Sequence, residues 1–203
     1  MEMKNIDILE SSGYLHCPNF LSNEINDIPP QNDDESPKLG NILHRSNKGI
    51  TNCEYDDKNF WFPNSTTIIN ENVYKSLSNK VCDTVQSILG LDLLPTFHLS
   101  VFHYKDCSFS QTPMHYNQEI TVSIQIKSIP NVNWRYVLSL TDYSDIYFKM
   151  QDGDALIYKG DQIFSRRHTL ELNDENKDKY HHQLYFHYVN SQGNNVHYAY
   201  RLC

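Results

Sequence analysis

No two of the five cysteines (Cys17, Cys53, Cys82, Cys107 and Cys203) stand at C-x-x-C spacing, and their number is odd. Neither a disulfide framework nor a cysteine-based zinc site is therefore indicated, and reduced thiols are the simplest reading. No apolar run approaches the length needed to cross a bilayer. Met1 to Glu10 carries two Glu and one Asp without a long apolar stretch, so it does not read as a secretory signal, and the expected setting is cytoplasmic with no membrane partner. Basic residues are scarce too. Seventeen Lys and Arg against 25 Asp and Glu leave a formal net charge of −8, and no Lys/Arg cluster offsets it. Duplex nucleic acid is excluded as a partner on that ground, because phosphate binding needs a basic footprint that releases counterions. There is no G-x-x-x-x-G-K-S/T phosphate loop, and no G-x-S-x-G elbow accompanies the neighbouring Ser165 and His168, so neither P-loop nor elbow-type hydrolase chemistry is supported.

What is present fits one globular domain spanning residues 1–203, with 39% hydrophobic and 21% charged residues. Ten histidines and fourteen tyrosines are its most distinctive counts. Histidine is the commonest metal ligand, which is a reason to look for a site, although any single ring is more often a surface or satisfied core residue. Residues 1–92 read as a helical and loop-rich cap. Within them, residues 13–22 form a short strand and turn leading toward a helix, with Pro18 keeping the segment out of a helix interior. Asn23 to Asn52 is rich in Asn, Asp, Pro, Ser and Lys and reads as a long loop, either a lid or disordered. Phe60, Trp61, Phe62 and Pro63 form an aromatic anchor beneath it. Asn70 then caps a helix expected over Glu71 to Leu89. Its stripe of Val73, Leu77, Val81, Val85 and Ile88 or Leu89 recurs every three or four residues, needs a sheet to cover it, and stops at Gly90.

After Gly90 the character changes to β. Thr96 to Tyr104, Glu119 to Ile126, Trp134 to Leu140, Ile146 to Met150, Ala155 to Tyr158, His182 to Val189 and Val196 to Leu202 are rich in β-branched and aromatic residues with partial alternation. Seven strands without intervening helices indicate a sandwich or jelly roll rather than a parallel βαβ sheet.

The order LLPTFHLSVFHY, a polar turn, QEITVSIQI, then NW…YVLSL, GDALIYKG and HHQLYFHYVNSQG resembles the iron(II)- and 2-oxoglutarate-dependent oxygenases, particularly a prolyl-hydroxylase-like group of small microbial and phage proteins. The resemblance covers roughly Leu93 to Arg201. It implies a double-stranded β-helix, the jelly-roll, cupin-like core, over residues 93–203. It also implies an H-x-D and a later His that bind iron(II) and leave three positions open for co-substrate and oxygen. In that group the H-x-D lies seven and five residues before the Glu that opens the next strand, here Glu119, and the distal His follows the Gly of GDALIYKG by five residues. Those positions are Thr112, Met114 and Ser165 in this chain, and a hydroxyl and a thioether are poor ligands for iron(II).

Two readings follow. In the first, the protein keeps the barrel, has lost the iron site, uses no cofactor, and binds a small molecule or peptide in the barrel mouth or a protein partner. In the second, it is an active hydroxylase in which His115, Asn117 or Glu119 and His168 form a displaced site for iron(II) used with 2-oxoglutarate. The resemblance also implies a Lys or Arg deep in the barrel for the distal carboxylate of 2-oxoglutarate. The strand HHQLYFHYV offers none, so the candidates are Arg135, Lys159, Arg166 and Arg167. The adjacent pair Arg166 and Arg167 is the most suggestive, because two guanidinium groups at a barrel mouth can hold an anion. In the late strand, at most one of His181 and His182 can share a face with His187.

Overall fold

The computed structural model describes residues 4–21, 60–61, 65–69, 74–111, 118–177 and 179–199. Two helices and eleven strands are defined among them. The helices are α1 (Asn5–Ser12) and α2 (Lys75–Leu89). The strands are β1 (Tyr14–Cys17), β2 (Phe60–Trp61), β3 (Ser65–Ile69), β4 (Leu93–His103), β5 (Phe109–Gln111), β6 (Ile120–Ser128), β7 (Tyr136–Ser139), β8 (Asp145–Phe148), β9 (Ala155–Lys159), β10 (Phe164–Arg167) and β11 (His181–Asn190).

The α2 stripe forms as expected: Leu77, Val81, Val85 and Leu89 are buried and pack on the sheet. Gly90 ends the helix at φ +67°, its N–H donating to the Gln86 carbonyl, and the Gln86 amide and Cys82 thiol both reach the Leu93 carbonyl at the start of β4. The expected first turn, from Glu71 to Val73 with the Asn70 cap, lies outside the described residues. Helix α1 was not expected. It buries only Leu9, so its apolar signal is slight, and it is defined at its ends instead: Asp7 accepts from the Lys4 N–H, and Gly13 closes it at φ +82°. The left-handed backbone favours glycine there, and a Cβ would also press on the end of the Ile163 side chain.

All strand pairs are antiparallel, in a six-stranded sheet ordered β1-β9-β6-β11-β4-β3 and a five-stranded sheet ordered β2-β5-β10-β7-β8. From β4 onward the chain crosses between sheets at each step except the β7–β8 hairpin and closes a jelly-roll barrel. Strands β6 and β11 are buried along almost their whole length. One face, with Val122, Ile124, Leu184 and Phe186, packs against the helices. The other, with Leu99, Val101 and Tyr185, meets Phe109, Tyr136 and Leu138 of the smaller sheet. Each large apolar side chain buried this way contributes roughly 1.5–3 kcal/mol.

The structure amends several expectations. The first half supplies more than a cap, since β1 and β3 are the edges of the larger sheet and β2 joins the smaller one. Val196 to Leu202 does not begin as a strand: Val196–Tyr198 is a 3₁₀ turn, closed by Tyr198 N–H to Asn195 O and Ala199 N–H to Val196 O. β11 is already flanked by β4 and β6, so no edge beside it is free. β2, β3, β5 and β10 were not anticipated as strands. The 23–52 segment and the Phe62-Pro63 end of the aromatic cluster lie outside the described residues.

Candidate functional site

The site is built on β10, which lies between β5 and β7 in the smaller sheet. Successive side chains of a strand face opposite sides, so Ser165 and Arg167 point into the barrel and Phe164 and Arg166 away from it. Ser165 is fully buried. Its hydroxyl shares a hydrogen bond with the Tyr158 hydroxyl at 3.1 Å, which in turn lies 3.2 Å from the Tyr136 hydroxyl. Burial pushes both tyrosines above the ordinary phenol range, so this chain of hydroxyls is neutral.

Arg167, only 3% exposed, is the unusual group. Its Nη1 donates to the Trp134 carbonyl and its Nη2 to Gln125 Oε1, both at 2.8 Å, and the guanidinium lies 4.4 Å from the Trp134 ring centre and 5.0 Å from that of Tyr136. Every one of these partners is neutral. No described carboxylate pairs with Arg167, and its Nε, buried, has no hydrogen-bond partner. Desolvation lowers its pKa to about 10, which still leaves it charged at neutral pH. Beside it Gln183 donates to Ser123 Oγ at 2.6 Å while its Oε1, also buried, accepts from nothing, and Met150 Sδ lies near both side chains. A buried cation normally needs an anionic or fully hydrogen-bonded partner. This one has acceptors for part of its donor set and, among the described residues, no counter-charge.

Five histidines are buried among the described residues; His98 lies beside Phe186, and the other four line or flank the barrel. His103 Nδ1 lies 3.2 Å from Cys107 Sγ, His181 Nε2 donates to the Pro130 carbonyl, and both rings meet Trp134 edge-on. His187 Nδ1 shares a hydrogen bond with Thr121 Oγ1 at 3.0 Å, its ring 4.3 Å from Phe97. His182 turns outward, stacks on Phe102 at 4.2 Å and bonds Ser100 Oγ. Desolvation lowers His181 to about 4, His182 and His187 to about 3, and His103 well below its usual value. All four are neutral at pH 7. Among the described residues no three His, Cys, Asp or Glu side chains gather as a metal set.

Of the residues singled out from sequence, Thr112, Met114, His115 and Asn117 lie outside the described residues. His168 is exposed beyond the end of β10, its carbonyl accepting from the Trp134 indole at 2.6 Å. Ser165 pairs with Gln111 and Arg167 with Phe109, so His168 leaves the strand at the end opposite residue 112, about 10 Å along the strand from Ser165. Glu119 has both oxygens engaged, by the Asn190 N–H and the Asn195 amide, and serves to tie the start of β6 to the end of β11.

The cation candidates separate sharply. Arg166 is ion-paired to Asp145 and bonded to Ser139 Oγ on the outer face, Lys159 is paired to Glu10, and Arg135 is exposed. The Arg166-Arg167 pair is therefore no joint anion clamp: adjacent strand residues cannot face the same side, and Arg167 alone enters the barrel. Sequence reading passed over the inward amides and hydroxyls of β6. Their signal was available, because Thr121, Ser123 and Gln125 repeat every second residue through an otherwise apolar strand.

The one described position of the expected iron-ligand set, Ser165, does not fit iron(II). A serine hydroxyl held by Tyr158 stands at the expected distal ligand position, and a neutral hydroxyl is a poor donor to iron(II). What the described interior presents is one buried guanidinium with a spare N–H, near the hydroxyl and amide groups of Tyr136, Gln125 and Gln183.

No protein-family model matches the chain, and no curated protein matches it in sequence. Solved structures do match it in fold. An oxidoreductase of the 2OG-Fe(II) oxygenase family from Burkholderia pseudomallei superposes with a TM-score of 0.60 at 13% identity, covering 94% of this chain and 91% of that one. A Pseudomonas putida prolyl-4-hydroxylase gives 0.55 at 9% identity, over 91% and 96%. HygX from Streptomyces hygroscopicus, solved with nickel, 2-oxoglutarate and hygromycin B bound, gives 0.54 at 13% identity, over 95% and 88%. The chain has the fold of the 2-oxoglutarate- and iron(II)-dependent oxygenases, the jelly-roll core expected from its strand order.

Proposed function

We propose that this protein is an oxygenase-fold binding protein, without the H-x-D…H iron site, that holds a small carboxylate-bearing molecule, free or as part of a peptide, against Arg167 inside the barrel. The observation that carries the reading is the inward face of β10: a hydroxyl where an imidazole is expected and, two residues on, a buried cation with no counter-charge among the described residues. HygX, similar in fold, was solved with the dicarboxylate 2-oxoglutarate bound, which supports a carboxylate as the class of ligand. In this reading Arg167 supplies the charge, the Gln125 and Trp134 acceptors orient its fork, and the neutral hydroxyls of Tyr136, Tyr158 and Ser165 offer donors without adding charge.

The test is metal analysis after anaerobic iron loading, with a 2-oxoglutarate-to-succinate assay and titration calorimetry of 2-oxoglutarate and succinate into metal-free protein. The expected result is no stoichiometric iron, no succinate, and dicarboxylate binding that weakens at least tenfold in Arg167→Met. Stoichiometric iron that is lost in His168→Ala, together with turnover to succinate, would overturn it in favour of an active hydroxylase with iron(II) held by displaced ligands that include His115 and His168.

A further inference from the structure

The β7–β8 hairpin carries two of the three exposed large hydrophobic side chains among the described residues, Tyr143 at 94% and Tyr147 at 51% exposure. Tyr143 sits at the tip with φ +66°, in a turn closed by Tyr143 N–H to Leu140 O and Leu140 N–H to Ser144 O. Glycine or asparagine suits such a position better, so a phenol there is held out to solvent at a conformational cost. Tyr147 lies on β8, which ends the five-stranded sheet: among the described residues no strand pairs with its far side. The strand is nevertheless firmly seated, because Phe148 packs on Tyr14 at 5.4 Å and His16 at 5.5 Å.

We propose that this edge is a homodimer interface, with β8 pairing antiparallel to β8 of a second copy about a twofold axis at Tyr147. Charge points to this occupant. Asp145 opens β8 and Lys149 follows its last residue, two positions either side of Tyr147, one acidic and one basic. Charged residues blunt a sheet edge against a partner of like sign, yet this edge complements itself: the twofold pairing sets Asp145 opposite Lys149 of the second copy, and Ile146 opposite Phe148. The two Tyr147 rings then become cross-strand neighbours, a pairing that aromatic side chains favour, and each Tyr143 extends along the other copy's strand end. Within the chain Asp145 Oδ2 pairs with Arg166 and Oδ1 accepts from Ser139, which fixes the direction of the carboxylate. This surface is independent of the barrel interior.

Sedimentation velocity of the full chain over a concentration series tests the proposal. Wild type is expected to move from one to two chain masses as concentration rises, and Lys149→Asp, an exposed change that leaves the fold intact by circular dichroism, to associate at least tenfold more weakly. Asp145→Lys alone should weaken association likewise, whereas an equimolar mixture of the two variants restores dimer, because both cross-strand contacts are then of opposite sign. A wild type that stays monomeric at the highest concentration, a dimer indifferent to Lys149→Asp, or a mixture that fails to recover would each overturn it.

Discussion

The larger sheet has two buried faces made from alternate residues of the same strands, and they obey different rules. The face toward α1 and α2 is mostly apolar, with Val122, Ile124, Leu184 and Phe186 meeting Leu77 and Val81, and its buried Ser100 and His182 are hydrogen-bonded to each other. The face toward the smaller sheet sets Thr121, Ser123, Gln125 and Gln183 among its aromatic and aliphatic side chains, with Arg167 opposite. Both are equally hidden from water, so solvent cannot explain the polar residues of the second. Apolar residues would fill that space with less desolvation cost. The helix-facing side holds the fold together, and the polar inward side fits the proposed binding of a charged ligand.

Substitutions on the two faces can break that contrast. Phe186→Ala, on the helix side, is expected to cost about 3–5 kcal/mol in urea unfolding, the usual range for truncating a buried phenylalanine. A similar cost from replacing the inward Gln183 by Met would erase the distinction. Acid comes next. His181, His182 and His187 have folded-state pKa values below the unfolded one, because burial penalises their charged form. Their contribution is intact above about pH 6.5, where unfolded histidine is neutral, and is lost as the pH falls toward 4, where the unfolded chain takes up protons that the folded chain refuses. Each should subtract up to roughly 1.4 kcal/mol per pH unit over that interval, read as unfolding free energy against pH. His182→Phe, on the outward face, should make that slope shallower by about one proton and leave dicarboxylate binding unchanged.

Smaller effects are expected inside the barrel. Ser165→Ala removes one hydrogen bond of the hydroxyl chain and should cost about 1 kcal/mol by thermal or urea unfolding. Arg167→Met should shift stability least, within about 1 kcal/mol of wild type and in either direction, because relief from burying an unpaired charge offsets the acceptors left behind on Gln125 and Trp134. Near-neutral stability combined with lost carboxylate binding is the pattern of a residue kept for its ligand. A large loss of stability would instead make Arg167 a structural member of the core.

The same contrast explains how much could be read from the chain. Long elements with one clear period were legible: α2 with its Gly90 stop, and β4, β6, β9 and β11, whose order gave the jelly roll. Elements set by their neighbours were not. Phe164 to Arg167 is a four-residue strand with two charges, and only its place between β5 and β7 makes it one. Val196 to Tyr198 has the composition of a strand but no edge to join. At the site, Arg167 was named, yet as half of a pair with Arg166, because residue type was weighed before strand parity. Ser165 was placed by resemblance, and its lock onto Tyr158 depends on a contact between two sheets that no local pattern encodes.

If Arg167 binds a carboxylate as proposed, its burial also bears on timing. A carboxylate bound for Arg167 must first approach a chain whose formal charge is −8, so the outer field repels what the interior attracts. Added salt should screen the long-range repulsion more than the buried contact, and association should quicken with ionic strength while the dissociation rate changes little. Such a barrel fills slowly in dilute buffer, and its selectivity rests on which anions remain once inside rather than on which arrive first.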